Sequence, residues 1–429
     1  LEAANRRSRH VRLIVPGEKN AVEEIGEFGR IYYVKASYSP FFDKRYRLML
    51  PWKTYLLNAA PIKRILRDEA PDIIEIGEKY TLGLMAGLLR KGIINVAEKR
   101  PMLVHLSCER MDDNVRSFVS SGSIGRWFSR RFMSTYHLPM FDFHLANSAY
   151  TAQEMFDAVS PSADLRRSDA VLNFFWRYLR TPKVTFKDRI FVNPCGVDDR
   201  IFSSGRKDDS KRTALLSEFG VSDKSRILLY AGRLSPEKNI GLLAAMMKIL
   251  QGDPLNDYQL LIAGAGPSLE KFRSDARKLK PGVIKILGHI NDKEKLADLF
   301  ANCDAFVHPN PREPFGITPL EAMASGLPVV APNSGGVLSY ANDQNAWLAD
   351  PNPAAFSCAV NDVFASEAGR NAKVVAALKT VGQYTWETST DAVFALYDAM
   401  HSEFAGHHDL YDYTESPSNV NFAASFTTC

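Results

Sequence analysis

The run from Glu313 to Val330, EPFGITPLEAMASGLPVV, has the pattern of a loop that leads into a helix and then into a buried strand. A short apolar stretch at 305–308 precedes the run, and the run itself ends in another, so a helix connects two predicted strands. Gly316 allows the backbone to approach a ligand closely, and Pro319 suits the first turn of a helix. Strands joined through a helix in this way are parallel. The run therefore predicts a parallel sheet covered by helices.

The same alternation of short apolar runs and helical stretches extends through most of the 429 residues. Apolar strands separated by helices are typical of parallel sheets that are buried on both faces. The predicted strands lie at 10–15, 73–76, 102–106, 144–147, 189–192, 227–231, 259–263, 283–287, 305–308 and 329–331. The predicted helices lie at 55–68, 82–91, 149–158, 242–250, 294–301 and 319–325. The fold class is therefore α/β, with doubly wound, Rossmann-like sheets.

The alternation pauses at 198–211, where Gly205, several serines and charges of both signs are typical of a linker. A chain of this length usually contains more than one hydrophobic core, so we expect two domains. The predicted divisions are an N-terminal domain at 1–203, a C-terminal domain at 204–385, a helix at 386–405 and a loosely ordered tail at 406–429.

The composition is that of a globular protein. With 45% hydrophobic residues, 24% charged residues and a net charge of +4, the chain shows no excess of positive charge that would indicate a nucleic-acid partner. No run approaches the roughly 18 apolar residues that span a bilayer. The cysteines are scattered and lack the spacing of a zinc site, which favours a reducing, cytoplasmic location. They are Cys108, Cys195, Cys303, Cys358 and Cys429.

The helix that begins near Gly316 offers a binding site for phosphate. Its free N–H groups and the positive end of its dipole attract anions. Glu313 precedes the helix and Glu321 lies within it, and a carboxylate beside an anion site is suited to hydroxyl groups such as those of a sugar. The alternative interpretation is a helix start with two surface glutamates.

A second motif, AGRLSPEKN at 231–239, follows the predicted strand at 227–231. Arg233 can donate paired hydrogen bonds to phosphate oxygens through its planar guanidinium group, and Lys238 can add a mobile positive charge. Such a pair would stabilise a departing diphosphate without a metal ion. A solvated basic turn is the alternative.

Together the two motifs resemble the signature of glycosyltransferase family 4, whose members are retaining enzymes with the GT-B fold of two facing doubly wound domains and a cleft between them. The resemblance implies that Glu313 contacts the donor sugar and Glu321 the ribose hydroxyls. It also implies that the backbone at Phe315, Gly316 and Ile317 holds phosphate. The C-terminal domain would then bind the nucleotide sugar, the N-terminal domain would bind the acceptor, and the helix at 386–405 would pack back on the N-terminal domain.

Other positions are assigned by the same resemblance. Gly264, after the strand at 259–263, is a candidate for donor binding, and an ordinary glycine after a strand is the alternative. Ile290 would pair with the base through its backbone, and Asp292 would accept a hydrogen bond from a guanine; a plain loop is the alternative for Asp292. His105 ends an apolar strand where many members of the family place a histidine beside the sugar, with a structural histidine as the alternative. Acceptor-side candidates follow it in the chain, namely Glu109, Arg110 and Asp112.

The chain departs from the family pattern at its beginning. The family starts with a strand and a Gly-Gly loop, whereas the strand predicted at 10–15 is similar to the family's second strand. We therefore expect the first structural unit to be missing. An insertion at 160–187, rich in arginine and aromatic residues, has no assigned role.

The predicted function is transfer of a mannosyl- or glucosyl-type group from a GDP- or UDP-sugar to a glycolipid, polyprenyl-linked or saccharide hydroxyl, with no metal or other cofactor. Alternatives are a sugar-nucleotide epimerase of the same fold and a non-catalytic nucleotide-sugar-binding protein. Basic-aromatic clusters at 44–52 and 126–132 favour peripheral contact with the inner face of an anionic membrane, and a solvated face is the alternative.

Overall fold

The computed structural model describes residues 1–38, 47–118, 122–159, 169–222, 224–253 and 257–412. These residues form two compact units. The first unit contains Leu1–Asn147, Thr151–Asn193 and the chain from Thr390 onwards, and the second contains Ser148–Tyr150 and Pro194–Ser389.

The first unit contains three sheets and the helices that cover them. Its strands are β1 (Val11–Gly17), β2 (Ala21–Ile25), β3 (Gly29–Lys35), β4 (Ser37–Tyr38), β5 (Arg47–Leu48), β6 (Ile73–Ile76), β7 (Met102–Ser107), β8 (Phe143–Ala146) and β9 (Ile190–Val192). Its helices are α1 (Glu2–Arg6), α2 (Pro51–Thr54), α3 (Pro61–Glu69), α4 (Gly83–Arg90), α5 (Met111–Phe118), α6 (Ser123–Phe132), α7 (Ala149–Val159) and α8 (Asp169–Tyr178).

Strands β6, β7, β8 and β9 form a parallel sheet in sequence order. A buried ionic network holds the amino-terminal edge of this sheet. The Arg90 guanidinium donates to Asp142 Oδ1 at 2.5 Å, and Arg100 Nη1 donates to Asp142 Oδ2 at 2.7 Å. Asp142 Oδ2 also accepts from the N–H of Leu103 at 2.8 Å, so one carboxylate ties the beginning of β7 to the beginning of β8.

The second unit contains one six-stranded parallel sheet. Its strands are β10 (Arg226–Ala231), β11 (Tyr258–Ala263), β12 (Ile284–Gly288), β13 (Ala305–Val307), β14 (Val329–Pro332) and β15 (Trp347–Ala349). Its helices are α9 (Asp209–Phe219), α10 (Gly241–Leu250), α11 (Leu269–Ala276), α12 (Lys293–Asn302), α13 (Ile317–Ala324), α14 (Pro353–Ala365) and α15 (Glu367–Val381). Helix α16 (Trp386–Gly406) belongs to this unit up to Ser389 and to the first unit from Thr390, and α17 (His408–Tyr411) ends the described chain.

The strand order of the second unit, β12-β11-β10-β13-β14-β15, reverses direction between β10 and β13. All five strand pairs are parallel. In such sheets the connections from the two central strands diverge to opposite faces and leave a crevice at the carboxyl ends. The loops that follow β10 and β13 are therefore the expected place for a ligand. They contain Lys238 and Glu313.

The predicted α/β fold with parallel sheets is confirmed. The predicted helix at 55–68 is wrong at its beginning, because α3 starts at Pro61 and Ala60 before it is extended, as a residue before proline usually is. The strand predicted at 10–15 was expected to belong to a doubly wound sheet. Among the described residues, β1 pairs instead with β3 of a separate three-stranded sheet, in which β2 and β3 form an antiparallel hairpin.

The chain after residue 406 differs from the expected tail as far as it is described. Residues 408–411 form α17, and Tyr411 is buried in a cluster with Met400 and Phe404 of α16. The carbonyl of Tyr411 accepts hydrogen bonds from Arg90 and Arg100, each at 3.2 Å, so the same ionic network fixes this segment. Residues 413–429, and Lys44, Arg45 and Tyr46 of the first basic-aromatic cluster, lie outside the described residues.

None of the helices in the described ranges combines the length and the hydropathy that crossing a bilayer would require.

Candidate functional site

The loops after β10 and β13 meet through a charged pair. Lys238 Nζ lies 2.8 Å from Glu313 Oε1 and 2.9 Å from Glu313 Oε2. Lys238 ends a short turn, and the next residue, Asn239, has a positive φ of 52°. The Asn239 side chain donates to the carbonyl of Pro309 at 3.0 Å, which ties the two loops together a second time. Two motifs that are 75 residues apart in sequence thus form one site.

Glu313 is held as a carboxylate. The amide of Asn310 donates to its Oε2 at 2.7 Å. Burial by itself raises the pKa of Glu313, but the charge of Lys238 and the hydrogen bonds from Lys238 and Asn310 outweigh burial and lower it. A group with this ionisation accepts hydrogen bonds and does not act as an acid at neutral pH.

His308 and Asn310 were missed by the sequence interpretation. His308 Nε2 lies 3.6 Å from Glu313 Oε2, and burial lowers the pKa of His308 to about 4, so the imidazole is neutral at pH 7. Both residues directly follow β13, at the carboxyl edge where the strand order reverses. That position was a usable signal, because ligands bind at this edge.

Helix α13 begins after a glycine that its conformation requires. Gly316 has φ 92°, in the left-handed region, and the hydroxyl of Tyr340 donates to its carbonyl at 2.5 Å. A second contact holds the loop before α13: the N–H of Gly336 donates to the Glu313 carbonyl at 2.6 Å. A Cβ on Gly336 would overlap the carbonyl of Pro314. The loop is therefore shaped by close backbone packing before any ligand binds.

The amino-terminal turn of α13 brings the predicted phosphate-binding backbone to the same loop as Glu313. Phe315 is buried against Tyr340, with ring centroids 5.2 Å apart, whereas Ile317 is exposed. Phe315 thus anchors the loop and leaves its backbone as the group available to a ligand. Glu321 lies in the second turn of the helix, where burial raises its pKa to about 7 against the opposing charge of Lys293.

Arg233 and Gly264 lie on adjoining loops. The hydroxyl of Tyr230 donates to the Arg233 carbonyl at 2.9 Å, and the Arg233 side chain is partly exposed. A Cβ on Gly264 would overlap the carbonyl oxygen of Gly232. The backbone contact between these loops therefore requires glycine at 264, whatever else this residue contacts.

Ile290 and Asp292 follow β12. Ile290 packs partly buried against the core of the second unit. Asp292 is the N-cap of α12, and its Oδ1 accepts from the N–H groups of Glu294 at 2.9 Å and Lys295 at 3.3 Å. Its role as a base contact stays a prediction.

In the first unit, His105 is enclosed by other rings. Its Nδ1 lies 3.3 Å from Nδ1 of His144, and its ring centroid lies 4.4 Å from that of His137. Burial, with the charges of His137, Lys79 and His144, holds the pKa of His105 well below its usual value. The side chain is fully buried and neutral, so the structural alternative accounts for its surroundings, and contact with a sugar stays a prediction.

The acceptor-side candidates form a local ionic group. Arg110 binds Asp112 with two hydrogen bonds, from Nε at 2.9 Å and from Nη2 at 2.7 Å. Burial raises the pKa of Asp112, but Arg110, the N–H of Asp113 and the charge of Lys79 together lower it, so Asp112 is ionised and already paired. Glu109 is exposed, and its carbonyl accepts from Lys79 at 2.5 Å. In the part of the chain that the structure describes, no three His, Cys, Asp or Glu side chains are grouped to hold a metal ion.

Comparisons with known proteins identify chains of similar sequence and fold. Residues 211–379 match the family described as "Glycosyl transferases group 1". The chain is 32% identical over 229 residues to D-inositol 3-phosphate glycosyltransferase of Geodermatophilus obscurus, a match that covers 51% of this chain and 49% of that protein. The chain thus spans about half the length of this curated relative. A GDP-mannose-dependent alpha-mannosyltransferase of Corynebacterium glutamicum is 26% identical over 87% of this chain and 77% of its own length.

Among solved structures, sucrose-phosphate synthase (tll1590) from Thermosynechococcus elongatus is similar with a TM-score of 0.68. The similarity covers 94% of this chain and 92% of that one at 19% sequence identity, which is evidence for a common fold.

Proposed function

Because the chain belongs to the group 1 glycosyl transferases through residues 211–379, we propose that it transfers a hexosyl group from a nucleotide diphosphate sugar to a hydroxyl group. The group is mannosyl or glucosyl in type, and the donor is a GDP- or UDP-sugar. The similarity to a GDP-mannose-dependent alpha-mannosyltransferase makes GDP-mannose the first donor to test. The acceptor is a glycolipid, a polyprenyl-linked sugar or a saccharide.

The observation that carries this proposal is the Lys238–Glu313 pair at the point where the strand order reverses. A partly buried ion pair such as this one contributes little net stability, because the loss of hydration offsets the attraction between the charges. The pair is better explained by its chemistry. Glu313 accepts hydrogen bonds from sugar hydroxyls, and Lys238, adjacent to it, supplies a positive charge for the diphosphate.

The leaving group departs from the side of α13. The N–H groups at the beginning of this helix, together with Arg233 and Lys238, stabilise the negative charge that develops on the diphosphate. Two cationic side chains and a helix dipole perform the task that a divalent ion performs in other transferases. The proposed reaction therefore needs no metal.

The bond from the anomeric carbon to the phosphate oxygen breaks first, and an oxocarbenium-like sugar forms beside Glu313. The acceptor oxygen then forms its bond to that carbon on the same face. The acceptor proton passes to the departing phosphate oxygen, so no separate base is needed. Asp112, an acceptor-side carboxylate, is ionised and paired with Arg110, which weakens the case for a base there and favours retention of the anomeric configuration.

Glu321 is proposed to accept hydrogen bonds from the ribose hydroxyls. For the protein as a whole we propose a cytoplasmic location with peripheral contact to an anionic membrane. Helix α6 supports such contact, since Trp127 and Phe128 are about half exposed and Arg126 lies beside them in the chain.

The test is product formation with GDP-mannose and UDP-glucose, each offered with a panel of lipid-linked and saccharide acceptors, in the presence and absence of EDTA. We expect glycoside formation that depends on the acceptor and survives EDTA. Equilibration of the donor alone would identify an epimerase instead. Nucleotide-sugar binding without turnover for any acceptor would indicate a non-catalytic protein.

A further inference from the structure

The first unit contains a basic-aromatic pocket that the proposed reaction does not use. This pocket, of about 590 Å³, lies along α8 and beside the carboxyl end of α4. Three of its lining residues are cationic, Lys91, Arg177 and Arg180, and two are aromatic, Phe174 and Tyr178. None of the described residues that line it is acidic.

The pocket lies at the edge of the sheet opposite to the one at which parallel sheets bind ligands. Helix α4 follows β6 and ends at Arg90, whose guanidinium binds Asp142 directly before β8 begins. Lys91 follows Arg90 and lines the pocket. The pocket therefore adjoins the amino-terminal edge of the sheet, whereas substrates of such folds bind at the carboxyl edge. The site is separate from the acceptor-side group at Arg110 and Asp112, which follows the carboxyl end of β7.

Arg180 occupies a backbone position that is usually glycine. Helix α8 ends with the two hydrogen bonds of a Schellman motif, from Arg180 N to the Arg177 carbonyl at 3.0 Å and from Thr181 N to the Trp176 carbonyl at 2.9 Å. Arg180 has φ 53°, which is unfavourable for any residue with a Cβ. Arg90 Nη1 donates to its carbonyl at 3.0 Å and fixes the backbone. An arginine at this position is better explained by its side chain, which lines the pocket, than by the turn.

Two of the cations that line the pocket, Lys91 and Arg180, repel each other. Burial and the neighbouring Arg180 guanidinium lower the pKa of Lys91, whose Nζ donates to the Tyr178 carbonyl at 3.0 Å. An anion beside the Lys91 and Arg180 side chains would relieve this repulsion. The rings of Phe174 and Tyr178 stack with centroids 6.1 Å apart and planes at 11°, and both are more than half exposed. They form a flat apolar wall next to the positive charges.

We propose that this pocket binds a phosphate monoester with an apolar or aromatic substituent. The dianionic phosphate lies among Lys91, Arg177 and Arg180, because guanidinium groups match phosphate oxygens in pairs. The substituent packs on Phe174 and Tyr178. The ester is either a soluble metabolite or the headgroup of a lipid, and the chemistry of recognition is the same for both.

Calorimetric titration of the full chain with phenyl phosphate tests the soluble source, and cosedimentation with vesicles of phosphatidic acid in phosphatidylcholine tests the lipid source. Binding of phenyl phosphate, but not of uncharged benzyl alcohol, is expected if the ester is soluble. Sedimentation with phosphatidic acid vesicles alone is expected if it is a lipid. Arg180→Gly should weaken the observed binding at least tenfold without lowering the melting temperature, because glycine suits the left-handed position.

Two control variants distinguish the loss of the Arg180 charge from the effect of a glycine on the backbone. Ala70→Gly changes another left-handed helix end in the same unit, and Arg277→Gln removes an exposed arginine of the second unit; neither should change the affinity. Arg177→Gln provides a second loss of charge at the pocket and should also weaken binding. The proposal is overturned if neither probe binds the wild type, if Arg180→Gly and Arg177→Gln bind as the wild type does, or if Arg180→Gly melts several degrees lower. It does not depend on the proposed transferase activity.

Discussion

Glu321→Gln should stabilise the protein more at pH 8 than at pH 5. Burial in α13 raises the pKa of Glu321 from 4.5 to about 7, and the charge of Lys293 only partly opposes this effect. A carboxyl group whose pKa is higher in the folded than in the unfolded state destabilises the fold when it is ionised. This cost is absent below pH 4.5, where both states are protonated, and is fully present above pH 7.

The magnitude follows from the shift in pKa. A rise from 4.5 to about 7 corresponds to about 3 kcal/mol at 1.36 kcal/mol per pKa unit. Between pH 5 and pH 8 the linkage relation gives about 2.5 kcal/mol of that total. Glutamine has nearly the same shape and does not ionise, so the substitution removes the pH-dependent cost and leaves the packing of α13 in place.

Urea unfolding at pH 5 and pH 8 gives the free energy of unfolding of the wild type and of the variant. The same unfolding transition is compared between the two proteins at each pH. The gain in unfolding free energy from Glu321→Gln should be larger at pH 8 by about 2.5 kcal/mol. Glu367→Gln, at an exposed position of the same unit, is the control and should show no such dependence. An equal effect of Glu321→Gln at both pH values would refute the burial argument. The variant should also bind the donor more weakly, since the proposed ribose contact loses its charge.

Glu313→Gln should lower kcat at least a hundredfold in a product assay. The amide leaves Lys238 without its carboxylate partner and cannot fully replace Glu313 at the sugar. Near-normal turnover would contradict the assignment of Glu313 to the donor sugar. Tyr340→Phe removes the hydrogen bond to the Gly316 carbonyl and should cost about 1 kcal/mol in urea unfolding, and no loss would show that the bond is dispensable. Proton NMR of early product should show the donor's anomeric configuration; the opposite anomer would make Glu109→Gln the next variant.

The parts of the fold and site that could be predicted from sequence are those encoded locally. The βαβ pattern around 313–330 predicted β13, α13 and β14, and Gly316 predicted the close backbone turn. The sequence also placed Lys238 and Glu313 in loops that follow predicted strands. Their direct contact depends on which strands are neighbours in the sheet, and the sequence of a single segment does not determine that order.

The remaining features depend on contacts between distant segments. His105 was predicted as a site residue near the end of an apolar strand, and that role stays a prediction. The structure adds that His137, from the segment after α6, and His144, from β8, lie against its ring. Asp112 was predicted only as an acceptor-side candidate, and the structure adds that Arg110, two residues before it, donates to both of its carboxylate oxygens. In each case a pattern showed the type of side chain, and only the structure showed what surrounds it.

In the proposed reaction, the Lys238–Glu313 pair would link donor binding to the charge of the site. With Glu313 as its partner, Lys238 is neutralised within the loop, and Asn310 holds the carboxylate in the same position. A diphosphate that draws Lys238 towards its oxygens would leave the Glu313 carboxylate to accept hydrogen bonds from the sugar of the same molecule. A nucleoside diphosphate without a sugar would also attract Lys238, but it would offer Glu313 no hydroxyl groups. The Glu313 carboxylate would then lose hydrogen bonds from Lys238 without gaining others in their place. We infer that this pair favours the complete donor over its product, and that Glu313→Gln should narrow the difference in affinity between the two.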